Sequence, residues 1–198
     1  MDAIAAIEAG LAVLLPTDTV YGLCATPRRE DGKRAVYEAK GRGDRQPTAV
    51  IARDVETVFE LLPESDDAAR IVVSTLLPGP FTLVLPNPAR RYPWLTGDRP
   101  ETLGVRVAHV PEQTQRVLDA VGAVLATSAN EPGEPPARTL DGVPARIRQA
   151  CAAEVDAGEL PGIASTVLDF TGPEPRVIRE GAASSAEAFA QVAKTLGG

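Results

Sequence analysis

Histidine is almost missing from this 198-residue chain: His109 is the only one. Cysteine is nearly as scarce, with Cys24 and Cys151 far apart and no CxxC pair. With no HExxH pattern and no Cys/His cluster, a zinc site is not expected. A Ser-His-Asp or Cys-His machine would have to rest on His109, and no nucleophile elbow accompanies it. Cys24 has no cationic partner nearby in sequence, so an activated thiol is not expected. Two cysteines without a basic leader fit a reducing, cytoplasmic setting. Long apolar runs are missing too. The opening stretch is interrupted by Glu8, Gly10 and Pro16 and reads as neither signal sequence nor membrane span. Aromatic residues are only 4% of the chain, so a core must rest on Ala, Val, Leu and Ile. Of 20 basic residues only Lys33, Lys40 and Lys194 are lysines. Where arginine is the default, each remaining lysine marks a place where a compact point charge matters.

What is present describes an ordinary folded chain. Hydrophobic residues make up 44% and charged residues 24%, as in soluble globular proteins. The length predicts one domain, residues 1–198, with a self-sufficient core. A net charge of −7 argues against a broad electropositive face and non-specific binding to duplex nucleic acid. It leaves room for a local basic pocket.

Periodicity and turn residues predict helices over residues 2–9, 32–40, 54–62, 65–77, 111–121, 139–150 and 185–196. Strands are predicted over 11–15, 47–52, 81–85, 104–108, 123–127, 153–156, 165–170 and 176–179. Residues 87–102, rich in Pro and Arg, read as a long loop or excursion. Tyr92 and Trp94 within it read as packing residues or part of a lid. Strands alternating with helices argue for an α/β domain around a mixed sheet. No GxGxxG opens a helix after a strand and no GxxxxGK[ST] is present, so Rossmann and Walker phosphate loops are missing.

Polar clusters recur directly after apolar strands: Pro16-Thr17-Asp18-Thr19-Val20-Tyr21-Gly22-Leu23, Lys40-Gly41-Arg42, Gly104-Val105-Arg106, Thr127-Ser128-Ala129-Asn130, Ser165-Thr166 and Arg179-Glu180-Gly181. Loops at strand ends are where ligands bind in open α/β sheets. Singly, such hydroxyl residues cap helices and close turns. Together with Lys40, Arg42, Arg106 and Arg179 they point to an anionic ligand. Lys40 and Arg42 straddle a glycine, so a mobile point charge and a bidentate fork can reach one polyphosphate.

The order of these motifs resembles the YrdC-like family, whose best-understood members are threonylcarbamoyl-AMP synthases. It runs PT-x-T-V-YGL, KGR, PGPFTLVL, GVRV, TSAN, STV and R-x-G, covering residues from about 4 to 183. The resemblance implies a single-domain, twisted sheet of parallel and antiparallel strands, flanked by helices, around a large concave cavity. It implies that L-threonine, bicarbonate and ATP become threonylcarbamoyl-adenylate and pyrophosphate, with Mg²⁺ on the phosphates. Downstream tRNA threonylcarbamoyl-transferase proteins would then pass the group to tRNA. By the same resemblance Thr17, Thr19, Tyr21 and Arg106 form the threonine pocket. Lys40 and Arg42 carry catalysis and contact ATP, together with Ser128, Asn130, Ser165 and Arg179.

Some positions depart from the family pattern. Asp18 stands where Glu is commoner, Cys24 where many members have Gly, and Gln46 lies in a segment that often carries histidine. His109 reads as structural. Two other readings remain open at this point. One is a relative of the same fold that binds RNA or nucleotide without synthase activity. The other is a carbamoyl-transfer domain of the kind found in hydrogenase-maturation proteins, against which the chain length speaks.

Overall fold

Capping residues set most of the helix starts. In the computed structural model, which describes residues 1–41, 43 and 45–197, the Asp2 carboxylate accepts the Ala5 N–H at 2.8 Å and opens α1 (Ala3–Glu8). Asp54 accepts the Thr57 N–H at 2.7 Å and opens α3 (Val55–Leu61). Asp66 does the same for α4 (Asp67–Leu76) through Ala69 at 2.8 Å. Each carboxylate satisfies an amide that the helix itself leaves unpaired. The remaining helices are α2 (Glu30–Lys40), α5 (Glu112–Val121), α6 (Ala145–Gln149) and α7 (Ser185–Leu196).

Nine strands among the described residues form one mixed sheet. They are β1 (Val13–Pro16), β2 (Tyr21–Ala25), β3 (Ala49–Ala52), β4 (Phe81–Pro86), β5 (Thr102–Arg106), β6 (Ala123–Ser128), β7 (Ala153–Glu154), β8 (Thr166–Asp169) and β9 (Arg176–Arg179). Their order across the sheet is β7-β1-β2-β6-β3-β5-β4-β8-β9. The pairs β1/β7, β3/β5 and β4/β8 are parallel and the others antiparallel.

Side chains alternate between the two faces along every strand. Leu14, Leu23, Val50, Leu83, Val105 and Leu125 face a core completed by α2, α3, α4, α6 and α7. Val13, Leu15, Cys24, Ile51 and Val124 face the opposite way, where α1 and α5 cover them. Burial on both faces makes the central strands nearly continuous apolar runs. α1 and α5 cover only part of their face, and the uncovered part bears the cavity described below.

Two expected elements differ. Tyr21 to Ala25, read as the tail of a polar motif, is a strand paired with both β1 and β6. The helix expected over 139–150 shrinks to Ala145–Gln149. Residues 139–143 turn instead, with the Thr139 hydroxyl accepting the Gly142 N–H at 3.1 Å, and Pro144 sits at the helix entry. The excursion over 87–102 holds one short 3₁₀ turn, Pro93–Leu95.

Candidate functional site

Small side chains leave the uncovered part of the sheet concave. Gly22 of β2, Ala49 of β3, Gly104 of β5, Ala126 of β6 and Thr82 of β4 stand where larger residues would fill the space. The result is a cavity of about 730 Å³, within the range of small-molecule sites. Its wall carries Arg45, Arg99, Arg106 and Arg179 against Asp98 and Glu134. The concavity is therefore cationic in a chain whose net charge is −7.

Arg106 ends β5 and is 7% exposed. Its Nη2 donates to Asp18 and, at 3.3 Å, to the Thr19 hydroxyl. Its Nε is buried with no partner among the described residues. An unsatisfied donor on a buried charged group costs roughly 1–3 kcal/mol or more, a cost that an anion in the cavity would remove. Thr17 and Thr19 line the same wall. The Thr17 hydroxyl shapes the turn between β1 and β2. It donates to the Val20 carbonyl at 2.7 Å and accepts the Thr19 and Val20 amides, both at 3.2 Å.

Lys40, the last residue of α2, is 6% exposed. Its ammonium donates to the Ser128 carbonyl, to the Ser128 hydroxyl at 3.3 Å and to Asn130 Oδ1 at 3.1 Å. Ser128 and Asn130 both line the cavity, so Lys40 supports the wall from behind. Arg42, expected beside Lys40, lies outside the described residues.

Ser165 and Arg179 meet at one end of β8. The Arg179 guanidinium donates to the Ser165 carbonyl from Nε at 3.1 Å and from Nη2 at 2.8 Å. Ser165 Oγ lies 2.8 Å from the Thr82 hydroxyl. Burial, and then the charge of Arg106, hold the Arg179 guanidinium below its ordinary pKa. The group stays charged at physiological pH, so two guanidiniums repel each other across a pocket suited to an anion. The glycine of the R-x-G motif has a steric reason. A Cβ on Gly181 would lie 2.2 Å from the Ala164 carbonyl oxygen, so only glycine lets this loop approach Ser165.

Tyr21 is the correction. It was expected in the threonine pocket, but β2 turns Gly22 toward the cavity and Tyr21 to the opposite face. There its hydroxyl donates to Asp156 at 2.7 Å and to the Gly158 carbonyl at 2.9 Å. The side chain is fully buried and fastens residues 156–158. The 87–102 excursion is likewise fastened. Trp94 Nε1 donates to the Pro27 carbonyl at 3.0 Å, and Arg99 to Asp169 at 3.0 Å. Trp94 and Tyr92 pack edge to face at 6.1 Å, as packing residues would. His109 is exposed and away from the cavity wall. Burial raises the Cys24 thiol far above its ordinary pKa and pushes Cys151 up to about 12, which rules out a ready thiolate.

The family model described as "Telomere recombination", that of the Sua5, YciO and YrdC proteins, matches residues 5–181. The chain belongs to the Sua5/YciO/YrdC family. A Mycobacterium tuberculosis relative named provisionally as a threonylcarbamoyl-AMP synthase is 34% identical over 97% of this chain and 88% of its own length. The threonylcarbamoyl-AMP synthase of Halorhodospira halophila is 32% identical over 81% of this chain and 83% of its own. Among solved structures, Pyrococcus abyssi Sua5 complexed with L-threonine superposes with a TM-score of 0.84 at 30% identity. That match covers 98% of this chain and 56% of Sua5. The mixed, helix-flanked sheet expected from the motifs is thus the sheet of the Sua5/YciO/YrdC fold.

Sequence reasoning missed some residues that this member of the family places at the site. Thr82 and Val84 line the cavity, and their alternate spacing in PGPFTLVL was the available signal. Arg99 also lines it, although nothing in the Pro/Arg-rich excursion singled it out. Asp18 was noted only as a shortened carboxylate, yet it is the ion-pair partner of Arg106.

Proposed function

We propose that the chain is a threonylcarbamoyl-AMP synthase, joining L-threonine, bicarbonate and ATP and releasing pyrophosphate. The observation that carries this reading is Arg106, buried on the cavity wall with an unpartnered Nε. A carboxylate such as that of threonine would accept from it and offset the cost of the open donor. Thr17 and Thr19, on the same wall, suit the hydroxyl and ammonium ends of a small zwitterion. The family relatives' names support the same substrate class.

The chemistry needs position and charge more than a protein nucleophile. The threonine nitrogen forms a bond to the bicarbonate carbon, with loss of water, and yields a carbamate. A carbamate oxygen then attacks the α-phosphorus of ATP, the bond to the bridging oxygen breaks, and pyrophosphate leaves. Bringing two anions together costs repulsion, which Arg179 and Arg106 would offset in a pocket that excludes much of the water. Lys40 would hold Ser128 and Asn130 at the nucleotide, with Arg42 following it in sequence. Ser165 would serve the same ligand beside Arg179.

No cluster of three or more His, Cys, Asp or Glu residues fit to hold a metal ion occurs among the described residues. Magnesium would therefore travel on the nucleotide phosphates, and none of the steps above runs through it. The activated group would pass to separate transfer proteins acting on tRNA. No helix among the described residues is long and apolar enough to cross a membrane, which fits a cytoplasmic site of action.

Pyrophosphate release from ATP, Mg²⁺ and bicarbonate, with and without L-threonine, tests the reading. Release that requires threonine and is weak with serine is the expected result. Release indifferent to threonine, or none from folded protein that binds ATP, would contradict it.

A further inference from the structure

A helix leaves its last four carbonyls without intrahelical partners, and α2 accounts for all four in an unusual way. Gly41 takes the left-handed conformation, and its N–H serves the carbonyls of Tyr37 and Glu38. The other two are served from outside the helix. Arg146 of α6 donates from Nη1 to the Ala39 carbonyl at 2.8 Å and from Nη2 to the Lys40 carbonyl at 3.3 Å. The same guanidinium grips Glu131 through Nη2 at 2.8 Å and Nε at 3.2 Å. Glu131 directly follows Asn130, and Asn130 Oδ1 accepts from the Lys40 ammonium at 3.1 Å. A closed ring results: the Lys40 side chain to Asn130, the chain to Glu131, Glu131 to Arg146, and Arg146 back to the Lys40 backbone.

We propose that Arg146 is a positioning residue for nucleotide binding, holding Lys40 and the loop of Asn130 in register through Glu131. The inference deepens the proposed function and rests on its reading of Lys40 as a nucleotide-site residue. Arg146 does not line the main cavity and touches no substrate there. Its pair with Glu131 is half-exposed, with side-chain exposures of 50% and 38%, and exposed pairs of this kind add little stability. The geometry is nevertheless specific, because only a planar fork with five donors can serve two carbonyls and a carboxylate together. Without it, two carbonyls at the end of α2 turn to water, and the Asn130 loop loses its only tether to α2 besides Lys40 itself among the bonds described.

Calorimetric titration of ATP and, separately, of L-threonine tests the proposal. The set is the unmodified protein, Lys40→Ala, Arg146→Ala, Arg146→Lys, Glu131→Gln and Arg148→Ala. Arg148 lies on the same helix but pairs with Asp141 and Glu154, so Arg148→Ala is expected to bind both ligands normally. Misplacing a binding group by about an ångström can cost up to roughly a hundredfold. Arg146→Ala is expected to weaken ATP tenfold or more and to leave threonine unchanged. Arg146→Lys and Glu131→Gln keep part of the ring and should fall between, and they carry the test if Arg146→Ala does not fold. Unchanged ATP affinity in the Arg146 and Glu131 variants, with affinity lost in Lys40→Ala, would overturn the positioning role alone. Unchanged affinity in Lys40→Ala as well would overturn the reading of Lys40 and the inference with it. Equal losses for ATP and threonine would also overturn it, because the ring would then be holding the fold rather than the nucleotide site.

Discussion

Arg106 and Tyr21 stand in short motifs of similar appearance, and the structure gives them opposite duties. Arg106 keeps one donor open toward the cavity, so its value depends on a fork that lysine lacks. Arg106→Lys keeps the charge and should raise the KM for threonine roughly tenfold or more, with melting temperature little changed. Steady-state kinetics with threonine varied would read this, and an unchanged KM would count against the carboxylate role. Tyr21 instead ties residues 156–158 to the back of the sheet. Tyr21→Phe should cost about 1–2 kcal/mol in denaturant unfolding and leave the KM for threonine near its ordinary value. Burial raises the Tyr21 pKa above 10.0, so its stabilisation is present below pH 10 and lost as pH climbs through the raised value. The phenylalanine variant should lack that alkaline loss, measured as stability against pH. The motif order pointed to both residues. Only the strand's two-residue alternation separates them, and that requires knowing that residues 21–25 are a strand.

At the scale of elements, apolar runs and caps were legible while interrupted segments were not. Asp54 and Asp66 open helices where an acid before an apolar period predicts it. β2 was hidden because Tyr-Gly-Leu-Cys-Ala holds a glycine and continues a polar motif; the glycine is there to leave room in the cavity. The 139–150 segment has a helical pattern, but Gly142 and Pro144 break its first half. The Asp54 cap also sets a pH dependence. The Thr57 hydroxyl, then Arg53, lower the Asp54 carboxyl from 3.8 to about 2. Its contribution is therefore whole above pH 3.8 and lost as pH falls through about 2, with the size reduced by solvent screening. Asp54→Asn should keep the cap and lose this acid-side dependence, whereas Asp54→Ala should cost about 1 kcal/mol at neutral pH. Urea titrations across pH distinguish the two, and equal losses at neutral pH would refute the cap assignment. On the cavity face, Ala126→Leu should abolish substrate binding while circular dichroism stays unchanged. Normal binding in that variant would mean that the substrates sit elsewhere.

For the whole molecule, a sheet covered fully on one face and only partly on the other explains how an acidic chain holds a cationic pocket. Composition could show the acidity, but only the strand order brings arginines from 99, 106 and 179 to one wall. Ligands bound there should stabilise the fold by linkage. At a hundred times Kd the gain is about 2.7 kcal/mol, which for a chain of this size is a rise in Tm of roughly 5–10 °C. ATP should produce it, and a chain whose Tm ignores ATP would not have the proposed nucleotide site. The most direct test of the whole account is mass spectrometry of the reaction mixture made with ¹³C-labelled bicarbonate, L-threonine, ATP and Mg²⁺. The account predicts an adenylate that carries the labelled carbon and the threonine together. An unlabelled adenylate, or none from folded protein, would contradict it.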